Sequence, residues 1–303
     1  MSLAQVWFEQ LMNGLVLGSF YALIALGYSM VYGIIKLLNF AHGDIYMWGS
    51  FVTLFVFGYA SMAVGGGWLA VLLGMLAAMI FMGLVAYFIQ LVAYKPLFDA
   101  PRLSLLITAI GVSMILYNFM MVLTNGQYMF FVTDINNAAG ISFGPFTLTY
   151  VKIIMLVITA TLMIGLTLFI NRTIWGKAMR GISQDKDTCR LMGINVNKII
   201  GLTFFIGSAL AAVAGCMACV YYGSLHYFMG YIMGMKAFTA AVIGGIGSIP
   251  GAMLGGIMLG LLEAVGTQVI GSAWKDVFAF IILIIMLVFK PTGLMGKTEI
   301  ERM

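Results

Sequence analysis

Two ionisable side chains, His42 and Asp44, lie two positions apart beside an apolar segment and are the first candidates for chemistry in this chain. An ionisable group at membrane depth is costly, so it predicts either a functional contact or a structural hydrogen bond. The two side chains could orient each other, or Asp44 could accept backbone N–H groups at the start of the next helix. Direct contact with a substrate is the alternative.

No residue set predicts a catalytic centre or a metal site. The histidines are His42 and His226, and no serine or cysteine has a plausible neighbouring base. Cys216 and Cys219 have CxxC spacing but lie in an apolar run without polar ligands, which favours packing over metal binding. The segment 293–298 resembles the end of a phosphate-binding loop, but Pro291 occupies the position of the required first glycine. We expect a non-catalytic chain that binds no cofactor.

The composition predicts the class of protein. Of 303 residues, 63% are hydrophobic and 8% are charged, whereas a soluble domain has about 25% charged residues. At about 20 apolar residues per crossing, eight or nine crossings fit. We therefore predict an all-α, polytopic transmembrane helical bundle that forms a single domain over residues 1–303. Any ATP-hydrolysing domain must belong to another chain.

Apolar segments locate the predicted crossings, and two of them are short. The segments are Leu11–Ile35, Ile45–Ala60, Trp68–Val92, Leu103–Leu123, Ile153–Ile170, Ile199–Tyr222, Ala237–Ile249, Ala252–Ile270 and Val277–Phe289. At 1.5 Å per residue, Ile45–Ala60 and Ala237–Ile249 do not comfortably cross a hydrocarbon core of about 30 Å. Each is a candidate half-helix or re-entrant element.

The loop at residues 171–198 concentrates the basic residues. They are Arg172, Lys177, Arg180, Lys186, Arg190 and Lys198, against Asp185 and Asp187. The positive-inside rule places this loop in the cytoplasm and the N-terminus outside. The basic C-terminal residues Lys290, Lys297 and Arg302 then require an odd number of crossings after Tyr222, which favours a thin crossing at Ala237–Ile249.

Breaks at Asn39–Asp44 and Gly244–Gly251 border the two short segments. They predict a transport pathway, because unwound backbone at membrane depth is tolerated only inside protein or beside water. Tight interfacial turns are the alternative interpretation. Glu263, within an apolar span, must find a partner or face an aqueous cavity. The pathway candidates are Asn39, His42, Gly43, Asp44, Gly245, Gly247, Ser248 and Glu263.

Three motifs resemble those of the branched-chain amino acid ABC transporter permeases of the LivH type. They are Leu38–Asp44 with the preceding Gly18–Leu23, Leu191–Asn195 in the basic loop, and Gly244–Ala252. The resemblance covers essentially the whole chain. It implies a bacterial inner-membrane permease that works with a second, LivM-like permease, two cytoplasmic ATPase subunits and a periplasmic binding protein. ATP would be hydrolysed by those partners, and nothing in the resemblance implies nucleic acid.

The resemblance also implies that the basic loop docks on the ATPases as a coupling helix. Residues 183–192 have the marks of a short helix, with Ser183 as N-cap and Gly193 as the stop at its C-terminal end. The predicted contacts are Ala178, Asp185, Leu191, Met192 and Gly193. A purely topogenic basic segment is the alternative, and the apolar pair Leu191 and Met192 argues against it.

We therefore predict a permease subunit of an ATP-driven importer for leucine, isoleucine and valine. Similar permeases carry urea or short amides, so this cargo is an alternative. A stand-alone secondary transporter is a further alternative, but it would usually carry coupling carboxylates within its spans, and Glu263 is the only strong candidate. A non-transporting scaffold would not need paired helix breaks.

Overall fold

The computed structural model describes residues 2–36, 38–98, 100–133, 135, 139–143 and 146–296, and in this part of the chain it is a helical bundle. Its helices are α1 (Leu3–Ile35), α2 (His42–Val64), α3 (Trp68–Ile89), α4 (Arg102–Leu123), α5 (Tyr150–Arg172), α6 (Ile174–Gln184), α7 (Lys186–Leu191), α8 (Val196–Tyr222), α9 (Met229–Gly244), α10 (Ile249–Ile270) and α11 (Lys275–Phe289). Eight helical segments are long and apolar enough to cross a membrane, and α9, with 16 residues, is shorter.

Short strands make two small antiparallel pairs. Strand β1 (Met129–Phe130) pairs with β4 (Ser224–Leu225), with Met129 opposite Leu225. Strand β2 (Gly140–Phe143) pairs with β3 (Phe146–Thr149), with Gly140 opposite Thr149. The β1–β4 pair ties the segment after α4 to the segment after α8.

Helices α1 and α8 form the centre of the bundle. Their apolar windows are 94% and 83% buried, whereas that of α11 is 6% buried. Glycines form a packing surface between α1 and α10. A Cβ atom added to Gly18 would lie 2.8 Å from the Ile257 Cα, and one added to Gly260 would lie 2.2 Å from the Gly18 backbone nitrogen. Small residues allow this approach, since lipid gives helices no hydrophobic reason to associate.

The prediction of a short second segment is wrong. Ile45–Ala60 lies inside α2, whose 23 residues span about 35 Å. The polar residues His42 and Asp44 belong to this helix and are buried in it. The second short segment is confirmed as short, but its bounds shift: α9 begins at Met229 and ends at Gly244.

The basic segments gather at one end of the bundle, as the positive-inside rule predicts. Gly33, near the end of α1, faces Gly247 in the turn between α9 and α10. The N–H of Leu294 donates to the Ile243 carbonyl 2.8 Å away, which places the segment after α11 at the same end. Three apolar helices follow Tyr222, an odd number, within the described residues. Lys297 and Arg302 lie outside them.

Candidate functional site

Helix α2 begins well inside the bundle. The His42 ring packs edge-on against Tyr28, with ring centroids 4.8 Å apart, and a Cβ added to Gly27 would lie 2.2 Å from the His42 Nε2. Gly27 precedes the end of α1 at Ile35 by eight residues, a rise of about 12 Å. The chain therefore turns back along α1 before α2 starts, as the prediction of an interrupted segment requires.

His42 and Asp44 do not orient each other, and Asp44 does not cap α2. The N-cap position is Ala41, without a side-chain capping bond among the described residues. The Asp44 carboxylate instead accepts a short hydrogen bond from the Ser113 hydroxyl on α4. The His42 Nε2 has no hydrogen-bond partner in the described part of the chain.

A cavity of about 320 Å³ opens beside Asp44, between α1, α2, α4 and α9. Its wall combines aromatic, aliphatic and glycine residues with one carboxylate and three hydroxyl groups, those of Tyr28, Ser113 and Tyr231. The lining residues are Tyr28, Phe40, Asp44, Ile110, Ser113, Gly230, Tyr231, Gly234 and Met235. This volume is at the lower end of the range of small-molecule sites, about 300–1,000 Å³.

Glycines bring the starts of α2 and α9 together at this cavity. A Cβ added to Gly43 would lie 2.4 Å from the Gly230 carbonyl oxygen and 2.7 Å from the Gly234 Cα. Side chains at these positions would force the two helices apart. Gly43 is therefore a packing residue, and its predicted place in a transport pathway remains a prediction.

Asn39 lies in the segment between α1 and α2 and is 3% exposed. Its Oδ1 accepts a 2.8 Å hydrogen bond from the Tyr94 hydroxyl. Tyr94 ends a π-helical turn, residues 90–94, that continues α3, and its ring packs on Phe204 of α8. The contact fixes the segment between α1 and α2 against two further helices.

The second predicted break is a tight turn between α9 and α10. Gly245 and Gly247 have φ values of +103° and +89°, a region that glycine adopts without strain. Ser248 is the N-cap of α10, and its hydroxyl accepts from the Gly251 N–H at 3.3 Å. Gly247 borders a small cleft of about 80 Å³ with Arg180 of α6. The turn thus lies next to the basic loop, and not at the cavity beside Asp44.

Glu263 is fully buried and ion-paired. Its Oε1 lies 2.8 Å from the Lys236 Nζ and 3.2 Å from the Lys275 Nζ, and its Oε2 accepts from the Tyr21 hydroxyl at 2.8 Å. Lys236 also pairs with Asp276 at 2.6 Å. Lys236, Lys275 and Tyr21 are thus the partners that a carboxylate in an apolar span needs. A lysine just before the apolar run that begins at Ala237 was the available signal.

The basic loop forms two helices where the sequence predicted one. Ser183 belongs to α6, and Asp185 is the N-cap of α7, with its Oδ1 accepting from the N–H groups of Asp187 and Thr188. The hydrogen bond from the Thr188 hydroxyl lowers the pKa of the Asp185 carboxyl most, and the bonds from these N–H groups lower it further. Gly193 has a φ of +82° after the end of α7, as a helix stop requires.

The end of α7 presents apolar side chains to solvent. Leu191 is 89% exposed and Met192 is 75% exposed. Beside it lies an open cleft of about 430 Å³. The cleft is lined by Ile174, Trp175, Lys177, Ala178, Ile194, Asn195, Lys198 and Ile199. Of the predicted coupling residues, Ala178 lines this cleft, and Leu191 and Met192 lie at the exposed end of α7.

Comparisons with known proteins agree on one family. The family model described as "Branched-chain amino acid transport system / permease component" matches residues 10–287. The high-affinity branched-chain amino acid transport system permease protein BraD of Pseudomonas aeruginosa is 44% identical over 98% of both chains. The corresponding permease protein LivH of Escherichia coli K12 is 41% identical over 97% of both chains.

The fold also resembles a solved structure, PsaBC from Streptococcus pneumoniae in complex with Fab. The TM-score is 0.50 with 14% identity, over 92% of this chain and 91% of the other. At this identity the similarity extends to the fold alone.

Proposed function

The chain belongs to the family of branched-chain amino acid transport system permease components, and from this premise we propose that it carries leucine, isoleucine and valine across a bacterial inner membrane. The observation that carries the proposal is the match of 41–44% identity along nearly the full length of permeases named for this transport. The chain is a multi-pass membrane protein, with eight helical segments of spanning length.

ATP hydrolysis in this proposal belongs to partner subunits. The assembly contains a second LivM-like permease, two cytoplasmic ATPases and a periplasmic binding protein. The exposed apolar tip of α7, Leu191 and Met192, supports an ATPase contact, because burying two such side chains contributes about 1.5–3 kcal/mol each. Capping by Asp185 and the stop at Gly193 hold that tip in a defined position.

The contacts of Glu263 weaken the case for a stand-alone secondary transporter. A coupling carboxylate must exchange an ion with water during transport. The Glu263 carboxylate is instead held by Lys236, Lys275 and Tyr21, and its side chain is fully buried. An ATP-driven mechanism is therefore favoured, with cargo choice set mainly by the binding protein.

The proposal is tested by uptake of radiolabelled leucine, isoleucine, valine and urea into proteoliposomes that hold the full complex. We expect uptake of the branched-chain amino acids that requires both ATP and the binding protein. Uptake without the ATPases would contradict the mechanism. Uptake of urea alone would contradict the cargo.

The same preparation tests the coupling surface. Leu191→Glu should abolish co-purification of the ATPases and ATP-driven uptake. Met62→Glu is the matched control, because Met62 is 87% exposed near the end of α2. Equal ATPase binding by both variants would contradict a docking role for α7.

A further inference from the structure

We propose that the cavity beside Asp44 is a subsite for the ammonium group of the transported amino acid, with Asp44 as its counter-charge. The inference rests on the proposed function and deepens it by naming the group that this chain itself recognises. Asp44 is 2% exposed and lies in the first turn of α2.

The local charge balance of the protein favours a cation at this position. Among the described residues, the ion pairs do not include Asp44, and its hydrogen-bond donor is the neutral Ser113 hydroxyl. The N-terminal end of α2 supplies about half a positive charge. A buried carboxylate is therefore left with net negative charge beside a cavity, and a bound ammonium group would neutralise it.

The cavity wall has the chemistry that recognises an alkylammonium ion. Tyr28, Phe40 and Tyr231 line the cavity with aromatic rings, and aromatic faces attract cations within about 6 Å. Ile110 and Met235 supply an apolar surface for an aliphatic side chain. Gly230 and Gly234 of α9 complete the wall without adding side chains. The wall thus contains groups suited to an ammonium ion together with groups suited to a branched hydrocarbon.

A cysteine at the cavity makes the site measurable without relying on transport. Ile110→Cys places a thiol in the cavity wall, where the native Ile110 side chain is 42% exposed. Ile107→Cys is the matched control, because Ile107 lies on the same helix, is 60% exposed and does not line the cavity. The native cysteines are buried, so the parental chain gives the labelling background. The assembled complex is treated with methanethiosulfonate reagents of opposite charge.

We expect the cationic reagent to label Ile110→Cys at least about tenfold faster than the anionic one, because the carboxylate is nearby at low effective dielectric. Adding Asp44→Asn to Ile110→Cys should reduce the ratio of cationic to anionic labelling rates to the ratio measured for Ile107→Cys. Isoamylamine, which has the leucine side chain and an amine without a carboxylate, should slow labelling by a neutral reagent. Isocaproate, which has the carboxylate without the amine, should not.

Equal labelling by both charges, equal protection by amine and acid, or a cavity sealed to all reagents in the complex would overturn the proposal. The protection experiment needs no change at Asp44, so misfolding of Asp44→Asn would not prevent the test. If the unmodified complex does not take up leucine, the proposed function is refuted instead. A complex that transports leucine but fails the labelling tests refutes the subsite alone.

Discussion

The Lys236 Nζ lies 2.8 Å from the Glu263 Oε1 and joins α9 to α10 inside the bundle, where the two side chains are 3% and 0% exposed. Asp276 and Lys275 extend the pair to the start of α11. Two positive and two negative charges balance within this group. The arrangement explains how α9 can carry a buried lysine and α10 a buried carboxylate.

Removing one member of this pair should destabilise the protein. Lys236→Met leaves a fully buried Glu263 with the partly exposed Lys275, at a cost of about 3 kcal/mol, the lower end of the range for a broken buried pair. The double variant Lys236→Met with Glu263→Leu should recover much of that loss. The thermal stability of both variants is measured by heating and then monitoring the folded fraction by size-exclusion chromatography. A double variant no more stable than Lys236→Met would contradict simple charge balance.

Close packing of α1 on α10 predicts a strong effect of one methyl group. Gly260→Ala places a Cβ 2.2 Å from the Gly18 backbone nitrogen, so we expect a loss of about 1–3 kcal/mol from overpacking. Gly165→Ala on α5 is the control, since a Cβ there meets no atom within 4 Å. It should be neutral or stabilise by about 0.5–1 kcal/mol. The unfolding midpoints of both variants in detergent decide the comparison.

The Tyr94 hydroxyl satisfies a buried acceptor. Tyr94→Phe leaves the Asn39 Oδ1 without this donor, so we expect a loss of about 1–3 kcal/mol. Tyr59→Phe, at a residue that is 79% exposed, should change the unfolding midpoint little. Equal midpoints for the two variants would show that the bond contributes nothing measurable.

The Asp185 cap predicts a local, pH-dependent effect on α7. Because the folded-state pKa is lowered, the carboxylate stabilises α7 above the ordinary aspartate value of about 3.9, and this is lost as the pH falls through the lower folded-state value. Asp185→Ala should speed hydrogen exchange of the Asp187 and Thr188 amides at neutral pH. Asp187→Ala, which removes an exposed pair with Arg190, should affect α7 less. Unchanged exchange in Asp185→Ala would rule out the cap.

The number and order of helices were predictable because each crossing needs a long apolar run, and such runs are visible in the chain. The first short segment was misjudged for a physical reason. His42 and Asp44 are polar, so the apolar run appeared to start at Ile45, but tertiary contacts from Tyr28 and Ser113 bury both residues within α2. In the basic loop, the sequence identified the stop at Gly193 but merged two helices, because either Ser183 or Asp185 is an acceptable cap by residue type.

The sequence by itself determined the membrane class and the order of the apolar spans, since hydropathy acts locally along the chain. Only the tertiary structure decided that Lys236 neutralises Glu263 and that Ser113 meets Asp44 beside a cavity. Those pairs join residues 27 and 69 positions apart. Their distances depend on how whole helices pack, and no local pattern of residues encodes that packing.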